Sequence, residues 1–345
     1  IERSLVEGGS LEKLVETGIR GVTSNPAIFE KAIAGSDDYD DQIAELASEG
    51  KNAPEIYEAL AIRDITGAAD ILRPVYDESK GIDGYVSLEV SPLLATDTEK
   101  TVEEAVRLYR KIDRPNIMIK VPATDEGYPA IRRLLGMGIN VNVTLIFSIE
   151  QYEEAAKAYL SGLSDLAETG GDPGSVASVA SIFVSRMDSK IDPRLIGPAE
   201  KLRGEIAISN AKLAYARFLE IFSGEDWNRL TALGARVQRP LWASTSTKNP
   251  DYPETHYVDN LIGPNTVNTM PPRTLEATLE EEGAEVTVTR GVETAKANMK
   301  QLEELGIGLS EVTDELLKEG IEKFVKPFRS LLETIEKARL EALEG

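Results

Sequence analysis

Cysteine is absent from this chain of 345 residues, and histidine occurs once, at His256. The missing cysteine excludes disulfides, thiolate metal sites and a cysteine nucleophile. It fits a reducing compartment, and the cytoplasm is the expected location. A single histidine excludes a histidine-rich zinc centre and any mechanism needing two imidazoles. Proton chemistry must fall to carboxylates, lysine, hydroxyls or water. His256 itself, in "YPETHYVDN", reads as a surface or capping residue. Positive charge is also in deficit: 38 Lys and Arg stand against 59 Asp and Glu, giving a net charge of −21. Such acidity argues against nucleic acid or an anionic membrane as partner. An anionic substrate would need a local cluster of Lys or Arg. No apolar run reaches membrane-spanning length, and no signal-peptide pattern is present.

Short apolar segments alternate with longer amphipathic ones. Candidate strands are Ile19–Asn25, Gly84–Val90, Asn116–Val121, Ile139–Leu145, Val176–Val184, Arg239–Ser244 and Pro264–Met270. Thr98–Lys111 predicts a helix capped by Asp97 or Thr98, with Val102, Ala105, Val106 and Tyr109 at helical spacing. Ser148–Leu163 predicts another, with Ser148 as cap and Gln151 in the capping-box position. Gly204–Phe222 and Val312–Leu343 continue the pattern, and "IERSLVEGGSLEKLV" at the start is helix-like. "ETGGDPGS" is a loop. Strand–helix alternation implies βαβ units and a parallel sheet, as a doubly wound sheet or a (β/α)₈ barrel. No dinucleotide or P-loop motif is present. Nothing marks a domain boundary, so residues 1–345 read as one α/β domain.

Side chains alternate faces along a strand, and polar residues here keep to one parity. Thr23 and Asn25 share a face, as do Ser87 and Glu89, and Met118 and Lys120. Asn140, Asn142 and Thr144 form a fourth set; Trp242, Ser244 and Ser246 form a fifth. In a barrel this parity points inward and reaches the mouth at the strands' C-terminal ends. Lys120 stands out in "NIMIKVPAT", a lysine inside an apolar run. It could bind an anion, or attack a carbonyl to form a Schiff base. Desolvation favours the neutral amine that attack requires. Glu89 opposes that but suits the proton transfers, directly or through a water held by Thr144. The plainer alternative is a buried Lys–Glu pair. An anion site is suggested by Arg186 after "SIFVS", and by "STSTK" (Ser244–Lys248), which adds hydroxyls and Lys248.

"GVTSNPAIFEKAI", "VSLEVSP", "IMIKVPAT", "INVNVTLIFS", "SVASIFVSRMD" and "WASTSTKNP" together resemble the transaldolase family in its longer bacterial form, in order and over nearly the whole chain. The resemblance implies a single (β/α)₈ barrel with an extra C-terminal helix. It implies transfer of a dihydroxyacetone unit in the non-oxidative pentose phosphate pathway, without cofactor or metal. The donor would be sedoheptulose 7-phosphate or fructose 6-phosphate, and the acceptor glyceraldehyde 3-phosphate or erythrose 4-phosphate. Lys120 would be the Schiff-base lysine, with Glu89 and Thr144 positioning the proton-transfer water. Thr23, Asn25, Ser87, Asn142, Ser181 and Phe183 would line the sugar site, Arg186 would bind phosphate, and Ser244 and Lys248 would assist. Two departures stand out. The family's first-strand aspartate would lie upstream of Ile1, together with that strand; without them, two strand edges would be exposed. A second phosphate arginine of shorter relatives matches Ser246, with Lys248 as its replacement. The rival activities are a fructose-6-phosphate aldolase-like reaction and non-catalytic sugar-phosphate binding. Oligomeric state is left open.

Overall fold

The apolar runs become seven strands among the described residues of a computed structural model, 1–281 and 283–344: β1 (Gly21–Thr23), β2 (Tyr85–Glu89), β3 (Ile117–Pro122), β4 (Val141–Ile146), β5 (Ser178–Phe183), β6 (Arg239–Ala243) and β7 (Val267–Asn268). Each overlaps the run expected from sequence. The chain divides into two compact units, Ile1–Val121 with Ile321–Gly345, and Pro122–Gly320.

The first unit holds α1 (Arg3–Glu7), α2 (Ser10–Glu16), α3 (Pro26–Gly35), α4 (Asp40–Ser48), α5 (Ala53–Glu78) and α6 (Thr98–Ile112). The helix-like start is thus two helices, broken at Gly9, whose φ of 73° suits a residue without Cβ. Asn52 and Glu55 form a capping box that starts the long α5. Asp97 caps α6 by accepting from the Lys100 N–H. The buried face of α6 is Thr101, Val102, Ala105, Leu108 and Ile112, so Val106 and Tyr109 lie beside the core stripe rather than on it. Strands β1, β2 and β3 pair in parallel. Thr23 stands beside Ser87, Ser87 beside Met118, and Glu89 beside Lys120. Neighbours in register project to the same side, so these five side chains share one face, as parity predicts. A buried cluster fixes α1 on α5. The Arg3 guanidinium donates to Asp64 at 2.9 Å and lies 4.3 Å from the Tyr39 ring centroid, and the Tyr39 hydroxyl donates to the other Asp64 oxygen.

The second unit holds α7 (Gly127–Gly136), α8 (Ile149–Glu168), α9 (Ser185–Ile191), α10 (Ile206–Ile221), α11 (Glu225–Thr231), α12 (His256–Asn260), α13 (Pro272–Glu280) and α14 (Val292–Glu304). Helix α15 (Leu309–Glu344) starts there and belongs to the first unit from Ile321. Ser148 and Gln151 make the predicted capping box of α8. Gly162 lets α7 and α8 approach closely; a Cβ there would sit 2.7 Å from the Arg132 carbonyl oxygen. Strands β4 to β7 pair in parallel in chain order. Two irregularities interrupt the period of two. A bulge falls between Val143 and Ile146, with Leu145 at φ 61°. Ser244, just past β6, has φ 56°.

The second irregularity corrects one expected face. Ser181 and Phe183 stand beside Leu241 and Ala243, whereas Trp242 stands beside Ile182 on the opposite side. Its indole N–H donates to the Leu261 carbonyl at 2.8 Å, so Trp242 packs outward against the end of α12. Strand parity cannot be carried past the left-handed turn at Ser244, so Trp242 does not share a face with Ser244 and Ser246. No described helix is long and apolar enough to cross a membrane.

Candidate active site

In the first unit, β2 and β3 deliver Glu89 and Lys120 side by side. Both are buried. The Lys120 ammonium donates to Glu89 Oε2 at 3.1 Å and to the Ser24 carbonyl at 3.1 Å, and lies 5.7 Å from the Phe324 ring centroid. Isolated in such surroundings an ammonium would be costly; here a carboxylate and a carbonyl compensate it. Ser24 is the residue that sequence reasoning missed. It lies between Thr23 and Asn25, but β1 ends at Thr23 and the next carbonyl turns to the lysine. Its hydroxyl and N–H both donate to the Ser87 carbonyl, at 2.8 and 3.1 Å, which fixes that carbonyl. Phe324, on α15, carried no sequence signal. Asn25 spends its side-chain oxygen capping α3, accepting from the Ile28 N–H at 2.9 Å. Glu89 also borders a cavity of about 650 Å³ lined with Tyr57, Glu104 and Arg107.

In the second unit, the Ser181 hydroxyl donates to Asn142 Oδ1 at 2.7 Å, and both are buried. Thr144, on the bulged stretch of β4, is fully buried, and its hydroxyl has no hydrogen-bond partner among the described residues. Such a group normally engages a ligand or water. The Phe183 ring lies 5.3 Å from that of Phe147 and carries the Arg186 guanidinium at 5.0 Å. The Ser244 hydroxyl is 3.0 Å from that of Ser185, and the Lys248 ammonium donates to the Ser246 hydroxyl at 2.6 Å. Partial burial of its charged end, and then the charge of Arg186, lower the Lys248 pKa. Two cations near enough for the charge of one to act on the other, in a strongly acidic chain, suit an anion. His256 is half-buried, with its Nε2 2.9 Å from the Gly204 carbonyl.

Asp188, two residues after Arg186, is buried. Burial and the charge of Asp192 push its carboxyl up to about 8, and Glu205 acts in the same direction; donation from the Ala207 N–H and the Tyr257 hydroxyl opposes. A folded pKa above the unfolded one gives stability that is full below about 4 and is lost as pH rises through about 8, by at most about 1.4 kcal/mol per pH unit. Asp188→Asn mimics the protonated acid, with its amide donating to the Tyr257 oxygen. Urea unfolding of this variant should give stability close to the parent at pH 5 and a flatter decline between pH 5 and 8. An unchanged slope would show that Asp188 is ionised throughout.

A profile of the transaldolase/fructose-6-phosphate aldolase family matches residues 1–335. The chain belongs to this family. A transaldolase of Parafrankia sp. strain EAN1pec is 50% identical over 342 residues, covering 97% of this chain and 92% of that protein. One from Trichodesmium erythraeum is 47% identical over 351 residues, covering 97% and 92%, and one from Thermobifida fusca is 47% identical over 341 residues, covering 97% and 93%. Membership carries the fold class expected from sequence, the α/β barrel of the transaldolase family, with the extra C-terminal helix present as α15.

Proposed function

We propose that this chain is a transaldolase that works through a Schiff base on Lys120. The observation carrying this reading is the buried Lys120–Glu89 pair, 3.1 Å apart, beside the Ser24 carbonyl. The lysine amine adds to the C2 carbonyl of a ketose phosphate, fructose 6-phosphate or sedoheptulose 7-phosphate, and water leaves. The iminium accepts the electron pair of the C3–C4 bond as the C4 hydroxyl loses its proton, and the aldose phosphate departs. The bound enamine attacks the aldehyde carbon of glyceraldehyde 3-phosphate or erythrose 4-phosphate, whose oxygen takes up a proton, and hydrolysis frees the lysine. Glu89 is the proton carrier nearest the nitrogen. Thr144 offers its unpartnered hydroxyl to the water that carries the proton. Thr23, Asn25, Ser87, Asn142, Ser181 and Phe183 line the sugar site; Arg186, Ser244 and Lys248 take phosphate. Excluding bulk water from the enamine favours transfer over release. We further assign residues 1–345 to one domain acting in the cytoplasm, in the non-oxidative pentose phosphate pathway.

Borohydride reduction in the presence of fructose 6-phosphate should fix the three-carbon unit on Lys120, read by peptide mass spectrometry. Labelling of a different lysine, or none, would overturn the mechanism. A coupled assay with and without acceptor aldehyde separates transfer from simple aldol cleavage. Turnover independent of acceptor would make the chain an aldolase.

A further inference from the structure

We propose that Asp188, Asp192, Tyr252 and Tyr257 are positioning residues that set the spacing of Arg186 and Lys248, and through it the affinity for the substrate's phosphate group. The proposal rests on the phosphate assignment above. Arg186 and Asp188 belong to α9, and Asp192 follows one turn on. Lys248 lies in the segment between β6 and α12. The two aspartates are four residues apart, so they fall on one helical face. Each divides its oxygens in the same way. Asp188 accepts from the Ala207 N–H at 2.8 Å and the Tyr257 hydroxyl at 2.9 Å. Asp192 accepts from the Gly204 N–H at 3.1 Å and the Tyr252 hydroxyl at 2.7 Å. The α9 face thus grips the first turn of α10 and the turn before it with one set of oxygens. With the other it grips the Lys248 segment at Tyr252 and the first turn of α12, which ends that segment, at Tyr257.

A second layer supports the grip. The Tyr252 and His256 rings are 5.0 Å apart, and His256 reaches the Gly204 carbonyl. Gly204 has φ 74°, and a Cβ there would stand 2.9 Å from the Tyr252 ring, so the tyrosine lies directly on that turn. The β6 end of the segment is held by the Ser185–Ser244 contacts, 3.0 Å from N–H to carbonyl and 3.0 Å between hydroxyls. Between these anchors the segment carries Lys248, whose ammonium is subject to repulsion from the charge of Arg186. The two tyrosine–aspartate bonds oppose that repulsion before any anion arrives. A site whose cations are already placed loses less freedom on binding.

The test is the double variant Tyr252→Phe/Tyr257→Phe, which removes two hydroxyls and nothing else. KM for fructose 6-phosphate and Ki for inorganic phosphate should each rise about tenfold. Turnover at saturation, and cleavage of unphosphorylated fructose, should change less than twofold. Equal losses on phosphorylated and unphosphorylated substrates would reduce the clamp to a packing role and overturn the proposal; unchanged KM and Ki would do so as well. Arg186→Ala separates the two layers of inference. If it raises KM and Ki while the tyrosine variant does not, the clamp fails alone. If it leaves both unchanged, the phosphate assignment falls, and the clamp with it.

Discussion

Replacing Lys120 by methionine should lower turnover on the order of 10⁴-fold or more and abolish borohydride trapping. Methionine matches the length of the lysine stem but offers no amine, so no imine forms and nothing stabilises the electron pair released from C3–C4. A purely structural lysine would predict a different pattern. Lys120→Arg keeps a cation beside Glu89, so a structural pair would retain most activity in that variant; a nucleophile would not, because guanidinium stays protonated. Both variants should therefore be inactive, with the arginine form the more stable of the two. Lys120→Met strands a buried carboxylate, at a cost of about 3–5 kcal/mol, measurable by urea unfolding at pH 7. Activity above about one per cent of the parent in either variant would remove Lys120 from the chemistry.

Much of the first unit was legible in the sequence because its strands keep a period of two and pair in register. Thr23, Ser87, Met118, Glu89 and Lys120 share a face in the structure as parity predicts, and the Lys–Glu pair follows from the register. The second unit was less legible. Leu145 and Ser244 take left-handed backbone angles that neither residue type advertises, and the strand period is lost at each. Plain parity therefore puts Trp242 on the wrong side. The long α5 carried a readable start, Asn52 followed by Glu55, but Pro74 inside it argues locally for a break that the surrounding packing overrides. The Asp188–Tyr257 and Asp192–Tyr252 bonds join residues 60 or more positions apart. Only the i,i+4 spacing of the aspartates was visible, and it names no partner. Ser24 shows a third kind of limit: its contribution is a backbone carbonyl, which every residue has.

Glu89→Gln should lower kcat by about 10²–10³-fold while leaving the fold intact at moderate temperature. The amide has the carboxylate's shape, so loss of the negative charge is the main change. Two consequences follow, and they can be told apart. The Lys120 ammonium loses the charge that compensates it and keeps neutral acceptors, the Ser24 carbonyl and the glutamine amide oxygen, so stability should fall by up to about 3–5 kcal/mol. The imine nitrogen also loses its nearest proton carrier, so chemistry slows within the folded enzyme. The combined variant Lys120→Met/Glu89→Gln removes both charges, and its stability should return most of the way to the parent, because a buried pair replaced as a unit costs little. Its activity should stay at the Lys120→Met level. If Glu89 served the fold alone, kcat per folded molecule would be unchanged in Glu89→Gln well below its unfolding temperature. That outcome would leave proton transfer to other groups and confine Glu89 to holding the lysine in place.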